Sequence, residues 1–181
     1  MANFKDAKTF AVHDDYYTRK DTWEMIKDYI PKDKVIFEAF SLGSNEQSIK
    51  YLRELGFNVV GGKNIDFFEA TDPEIYGDED LKFDMILSNP PYETTLKKKC
   101  LERIVLLDKP TILLMNSMNF STKYFKDIFE GHHKDIKFIV PSQKINYDRY
   151  ENGKPAPTKR NSCSFYTWFM CYKVLDDNIF L

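Results

Sequence analysis

Asn89, Pro90, Pro91 and Tyr92 stand in one run, and no other stretch of the chain is as well equipped for chemistry. Two adjacent prolines have fixed φ and lack N–H donors, so the loop is stiff and its carbonyls are free to face a ligand. The Asn89 amide offers an acceptor and a donor, and Tyr92 offers a flat face with a polar tip. These parts suit methyl transfer to an exocyclic amine. The lone pair of such an amine is delocalised into its ring, which makes the nitrogen a poor nucleophile. The Asn89 side-chain oxygen and the Pro90 carbonyl would each accept one N–H, pushing the nitrogen towards tetrahedral geometry while Tyr92 stacks on the ring. Stacking of a base on an aromatic side chain contributes about 1–3 kcal/mol, comparable to the few kcal/mol that base flipping costs. As a bare tetrapeptide the same residues form a rigid turn, and position decides between the two.

That position is set by the flanking elements. An apolar strand is predicted at 83–88, directly before the loop, and a helix at 95–107 after it. In open α/β sheets, ligands bind beyond the carboxyl ends of the strands, which favours the chemical reading over the turn. The rest of the chain repeats the alternation. A helix is predicted over 21–29, with Asp21 and Glu24 at capping-box spacing and Pro31 as its stop. A short strand follows over 35–37 and ends at Glu38. Next come a helix over 45–55 capped by Gly56 and a strand over 57–60 closed by Gly61 and Gly62. Residues 1–17 read as an irregular lead-in, and 70–82 as acidic and irregular. The continuously apolar strand at 111–115 implies burial on both faces. Ser121 is expected to cap a helix reaching 129, ended by Gly131. Strands at 136–140 and 165–174 are separated by a polar loop at 148–162. This pattern predicts one α/β domain over 1–181, with a mostly parallel sheet. The last two strands have no helix between them, so a hairpin with one antiparallel edge strand is expected.

Composition narrows the function. The 181 residues suffice for one substantial core, with no room for a separate target-recognition domain. The formal charge of -2 is not that of a protein that grips nucleic acid by bulk electrostatics, so such binding would need a local basic surface or a partner. Cys100, Cys163 and Cys171 lack metal-ligand spacing and read as reduced, partly buried thiols, and His13, His132 and His133 form no ligand pattern; no metal is expected. No apolar stretch approaches membrane-spanning length and the first residues lack a signal-peptide core, so an intracellular, cytoplasmic protein is expected.

The run from Phe83 to Tyr92 resembles motif IV of the amino-group methyltransferases. These include DNA N6-adenine enzymes, relatives acting on RNA adenosine, and protein-glutamine methyltransferases. The resemblance implies S-adenosylmethionine as cofactor and a Rossmann-like seven-stranded sheet with one antiparallel strand and helices on both faces. Asn89, Pro90, Pro91 and Tyr92 would then be catalytic. Tyr17 and Thr18 are similar to the family's N-terminal cofactor motif, with Arg19 where a proline is usual; a helix-capping Thr18 is the alternative. Glu38, Ala39 and Phe40 resemble the acidic-Pro-Phe start of motif I, with Ala39 in place of proline and Gly43 as the single glycine of the following loop. After the second strand, 61–64 supply no acid for the ribose hydroxyls. Asp66 and Phe67 look like motif III, where an Asp meets the cofactor's adenine amine and an aromatic residue packs its ring; a turn residue beside core phenylalanines is the alternative.

Aromatic side chains interleaved with cations suit unstacked nucleotides. Tyr147, Arg149, Lys159 and Arg160 are therefore the expected nucleic-acid contacts, although an ordinary hairpin loop would look the same. Lys97, Lys98 and Lys99 read as a solvated helix face. Residues 161–165 resemble those of small phage and large-virus methyltransferases. The resemblance therefore implies an N6-adenine methyltransferase acting on DNA in preference to RNA, with a partner subunit or homodimer as a source of target recognition. A protein-glutamine methyltransferase and a catalytically inactive scaffold subunit are the alternatives.

Overall fold

The computed structural model describes residues 16–41, 46–62, 65–72, 81–151, 154–155, 163 and 165–181, with backbone alone for 149–151 and 154–155. Gly43, Lys159 and Arg160 lie outside the described residues, as does the Arg149 side chain. Fifteen elements matter for the site: β1 (Tyr16–Thr18), α1 (Lys20–Ile26), β2 (Val35–Glu38), α2 (Gln47–Glu54), β3 (Asn58–Gly61), α3 (Phe67–Ala70), β4 (Met85–Ser88), α4 (Thr94–Leu107), β5 (Thr111–Asn116), α5 (Lys123–Ile128), β6 (Ile136–Val140), β7 (Tyr147–Glu151), β8 (Lys154–Pro155), β9 (Thr167–Tyr172) and β10 (Ile179–Phe180).

Seven of the strands make one mixed sheet in the order β10-β6-β9-β5-β4-β2-β3. Its strands are parallel except β9, which runs antiparallel to both β5 and β6. The fold is therefore α/β with a mostly parallel sheet. The antiparallel strand is not at the edge, as expected, but inserted between β5 and β6, and the two-residue β10 lies outside β6. Alternation along the central strands explains the layering, because successive side chains of a strand point to opposite faces. Ile36, Met85, Leu87, Ile112, Leu114, Phe169 and Cys171 join Trp23, Ile26, Ile49 and Leu52 of α1 and α2 in one buried cluster. Phe37, Ile86, Leu113, Met115, Met170 and Tyr172 join Phe67, Cys100, Leu101, Ile104 and Phe125 of α3, α4 and α5 in another. The predicted burial of the strand at 111–115 on both faces holds, with no residue there more than 1% exposed.

Several local expectations change. The lead-in ends in a strand, because Tyr16–Thr18 pairs antiparallel with Tyr147–Arg149. The stretch expected as a polar loop is thus partly strand, and β1, β7 and β8 form a small second sheet. The chain stays extended through Arg19, so α1 starts at Lys20 with no side-chain cap, and the Asp21–Glu24 capping box does not form. Thr18, weighed as a helix cap, is a strand residue instead. Thr122 rather than Ser121 caps α5, since the Ser121 hydroxyl donates to the Met118 carbonyl. Gly56 does end α2, at φ +91, where a side chain would be strained. Cys100, Cys163 and Cys171 are free and buried. Among the described residues no helix is long and apolar enough to cross a membrane.

Candidate active site

The parallel register places the ends of β2, β4 and β5 side by side, so Glu38, Ser88 and the run from Asn89 to Tyr92 share one rim. The Ser88 hydroxyl donates to Glu38 Oε1 at 2.6 Å and accepts from the Phe40 N–H at 3.2 Å, locking the two strand ends together. Pro90 and Pro91 are buried, while Asn89 and Tyr92 are half-buried. Glu93 then caps α4, its carboxylate accepting from the Thr95 and Leu96 N–H groups at 2.8 and 2.7 Å. These hydrogen bonds hold the Glu93 carboxyl below its ordinary range. The loop is thus clamped by a strand on one side and a capped helix on the other.

Asn89 Nδ2 donates to the Tyr16 carbonyl, a long contact of 3.5 Å, which turns the amide so that Oδ1 faces away from β1. Oδ1 is buried and has no hydrogen-bond partner. A buried acceptor left unsatisfied costs about 1–3 kcal/mol, and a fold retains such a cost where a ligand can relieve it. Thr18 Oγ1, Glu38 Oε2 and Gln47 Oε1 are in the same condition. Thr18 is two residues from the Tyr16 carbonyl that holds Asn89, and Gln47 opens the helix after β2. The unsatisfied acceptors gather at the end of the sheet that carries Asn89.

Tyr92 stands in a cluster of aromatic rings. Its centroid lies 5.2 Å from Phe165 and 6.1 Å from Tyr16, and its hydroxyl donates to the Tyr147 hydroxyl at 3.2 Å. Tyr147 in turn packs edge-on against Tyr16 at 5.7 Å. The expectation that Tyr147 faces nucleic acid is corrected: its side chain is 1% exposed, and burial pushes its phenol pKa upwards. Pairing of β7 with β1 turns this residue inward, where it braces Tyr92 from behind. The Arg149 backbone lies opposite Tyr16 in the same ladder.

At the end of β2, Glu38 is 3% exposed. Burial pushes its carboxyl up to about 7, against the lowering pull of the Ser88 and Ser41 hydroxyls and the Phe40 N–H. Beside it, Gly61 sits at φ +134, and a Cβ there would come within 2.5 Å of the Glu38 carbonyl oxygen. Only glycine lets β2 and β3 finish this close together. Asp66 is the N-cap of α3, Oδ1 accepting from Phe68 and Glu69 N–H at 2.8 and 3.1 Å. Phe67 is fully buried and packs against Phe40 at 4.9 Å, so it supports ring surface and does not itself present any. Phe40 and Phe68 are the half-buried members of that group. Tyr17 is half-buried in β1.

One residue expected on a solvated face belongs to the site. Lys97 is 6% exposed; its ammonium donates to Asn119 Oδ1 at 3.2 Å and stands 5.8 Å from the Tyr92 ring centroid. Tyr124 donates to the same Asn119 oxygen at 2.5 Å, and Asn119 Nδ2 donates to the Asn116 carbonyl at 2.7 Å. The network ties α4, the turn after β5 and α5 together beneath Tyr92. A sequence signal for it exists: Lys97 shares the spacing of Cys100, Leu101 and Ile104, the buried face of α4. Lys98 lies over the Tyr124 ring at 5.1 Å, and Lys99 is exposed. No group of His, Cys, Asp and Glu among the described residues is arranged to hold a metal ion. No protein-family model matches the chain, and no curated protein matches it.

Proposed function

We propose that this chain is an S-adenosylmethionine-dependent methyltransferase that modifies the N6 amine of adenine in nucleic acid, DNA in preference to RNA. The observation that carries the reading is Asn89 Oδ1, a buried acceptor without a hydrogen-bond partner on a proline-stiffened loop beside the Tyr92 ring. The mostly parallel seven-stranded sheet with one antiparallel strand supports a Rossmann-like methyltransferase fold, with the loop at the carboxyl end of β4. An exocyclic amine brings two N–H donors. Asn89 Oδ1 accepts one and the Pro90 carbonyl the other, which localises the lone pair on nitrogen. Tyr92, braced by Phe165 and by the Tyr147 hydroxyl, holds the ring of the base.

The residues on the rim fit the cofactor. Glu38 Oε2 and Thr18 Oγ1 are buried acceptors suited to the amino and hydroxyl donors of an amino acid nucleoside, and Phe40, backed by Phe67, is an apolar surface for its adenine. Asp66, already polarised by two N–H groups, is the acceptor for the adenine amine. When bound, S-adenosylmethionine supplies an electrophilic methyl group on a sulfonium. The test is incubation with tritiated-methyl cofactor and separate pools of duplex DNA, single-stranded DNA, RNA and cell protein. Label is expected in DNA. Label in protein alone would overturn the adenine reading in favour of a glutamine amide, and absence of both label and calorimetric cofactor binding would leave a scaffold subunit.

A further inference from the structure

The rim next to the aromatic cluster carries another ring, not used above. Five large hydrophobic side chains among the described residues are exposed, and two of them, Met118 at 71% and Tyr166 at 64%, occupy this rim. Met118 lies in the turn after β5 and Tyr166 immediately before β9, where the Ser117 N–H donates to the Tyr166 carbonyl at 2.9 Å and ties the segments together. Phe165, the preceding residue, lies 5.2 Å from Tyr92, so the backbone that carries Tyr166 adjoins the site. Lys144 stands 5.7 Å from the Tyr166 ring centroid while its ammonium donates to the Cys163 carbonyl. The ring is therefore backed by an anchored cation and largely open to water elsewhere.

We infer that Tyr166, backed by Lys144 and flanked by Met118, is a stacking platform for the base adjacent to the one held by Asn89 and Tyr92. The inference rests on the nucleic-acid reading of the site and specifies its strand state. A base on Tyr166 has left the duplex stack, so the substrate is single-stranded or locally opened. An aromatic face beside a cation matches a nucleobase joined to a phosphate. A chain with a net charge of -2 has to supply such cations locally.

The test measures fluorescence anisotropy with a single-stranded DNA oligonucleotide containing one adenine, and with the same oligonucleotide made abasic at either neighbouring position. Tyr166→Ala should weaken binding roughly fivefold to a hundredfold, the range of one lost base–aromatic stack, while Tyr166→Trp retains it. One abasic position should bring the wild type down to the variant, and there Tyr166→Ala should cost nothing more. Unchanged melting temperature checks that the exposed-site variant folds. The platform is overturned if Tyr166→Ala binds within about twofold of wild type, or loses as much on the abasic oligonucleotides. It is also overturned if Tyr166→Ala instead abolishes self-association in sedimentation, since the patch is then a contact between copies. Wild-type protein that binds and methylates no oligonucleotide brings down the nucleic-acid reading itself. Normal methylation with an indifferent Tyr166→Ala removes the platform alone.

Discussion

The two ends of the central sheet differ in how their polar groups are partnered. At the amino end of the parallel strands, the Tyr172 hydroxyl donates to Asp108 Oδ1 at 2.8 Å and lies 3.1 Å from His132 Nδ1, and Lys173 pairs with the same Asp108 oxygen at 2.6 Å. Nearby, Lys109 donates to the Phe83 carbonyl at 2.8 Å, and Asp84 accepts from the Val35 N–H at 2.8 Å. At the carboxyl end, Thr18, Glu38, Gln47 and Asn89 each hold a buried oxygen with no hydrogen-bond partner. Both ends face the same strands and helices, so sequence composition does not account for the difference. Polar groups that only secure the fold are satisfied within it. Acceptors left open carry a stability cost that makes sense at a binding site, where relief arrives with a ligand.

The largest effect that sharpens this contrast comes from Asn89. Asn89→Ala should lower turnover by about 100-fold or more, the order seen when one preorganised polar contact to a reacting group is removed. Cofactor affinity should stay within about twofold and the melting temperature should fall only slightly, because the lost oxygen had no partner in the fold and the lost Nδ2–H contact to the Tyr16 carbonyl is long, at 3.5 Å. A destabilised variant with normal turnover would make Asn89 a structural residue.

Glu38 comes next. Its pKa of about 7 in the folded chain exceeds its ordinary value of 4.5. The folded state therefore holds this proton more tightly than the unfolded state. The stability it contributes is full below pH 4.5 and lost as pH rises through 7, by about 3 kcal/mol at 1.36 kcal/mol per pKa unit. Glu38→Gln keeps an acceptor for Ser88 and should flatten that fall, as measured by denaturant unfolding between pH 4.5 and 8. The same slope in both proteins would contradict the assignment.

Lys97→Met removes a buried ammonium while keeping the apolar stem, and leaves Asn119 Oδ1 its bond from Tyr124. Replacing a buried charge by an apolar group of similar volume is often neutral or stabilising, so the melting temperature should hold. Turnover should drop roughly tenfold, an effect of about 1.4 kcal/mol, because Tyr92 loses the cation beside its ring. Loss of stability with unchanged kcat would place Lys97 with the amino-end network.

Two smaller effects complete the series. Asp66→Ser preserves an N-cap for α3, so stability should change by only a few tenths of a kcal/mol. Cofactor affinity by calorimetry should still fall about tenfold as the charged acceptor disappears; unchanged affinity would leave Asp66 as a cap alone. Tyr172→Phe, at the amino end, should cost about 1 kcal/mol of stability for its lost hydrogen bonds and leave turnover untouched. A turnover defect there would erase the distinction between the two ends.

Local chemistry was written in the chain itself. The succession of strands and helices, the apolar run of β5, the glycine that ends α2 and the stiffness of Asn89-Pro90-Pro91-Tyr92 depend only on neighbouring residues, and each was legible before the structure. So was the position of the loop after β4, since strand and helix patterns flank it. Lys97 was misread as part of a solvated face of three lysines, although it keeps the spacing of Cys100 and Leu101 on the buried side of α4. What the tertiary structure decided involves partners distant in sequence. The insertion of β9 between β5 and β6, the pairing of β1 with β7, and the inward turn of Tyr147 are long-range choices that no local propensity encodes. The same holds for Asn89: its amide is recognisable in the sequence, but its open oxygen follows from Tyr16, 73 residues away, taking the other end of the amide. Strand pairing and hydrogen-bond satisfaction are settled by which groups meet after collapse, and that is a property of the assembled sheet.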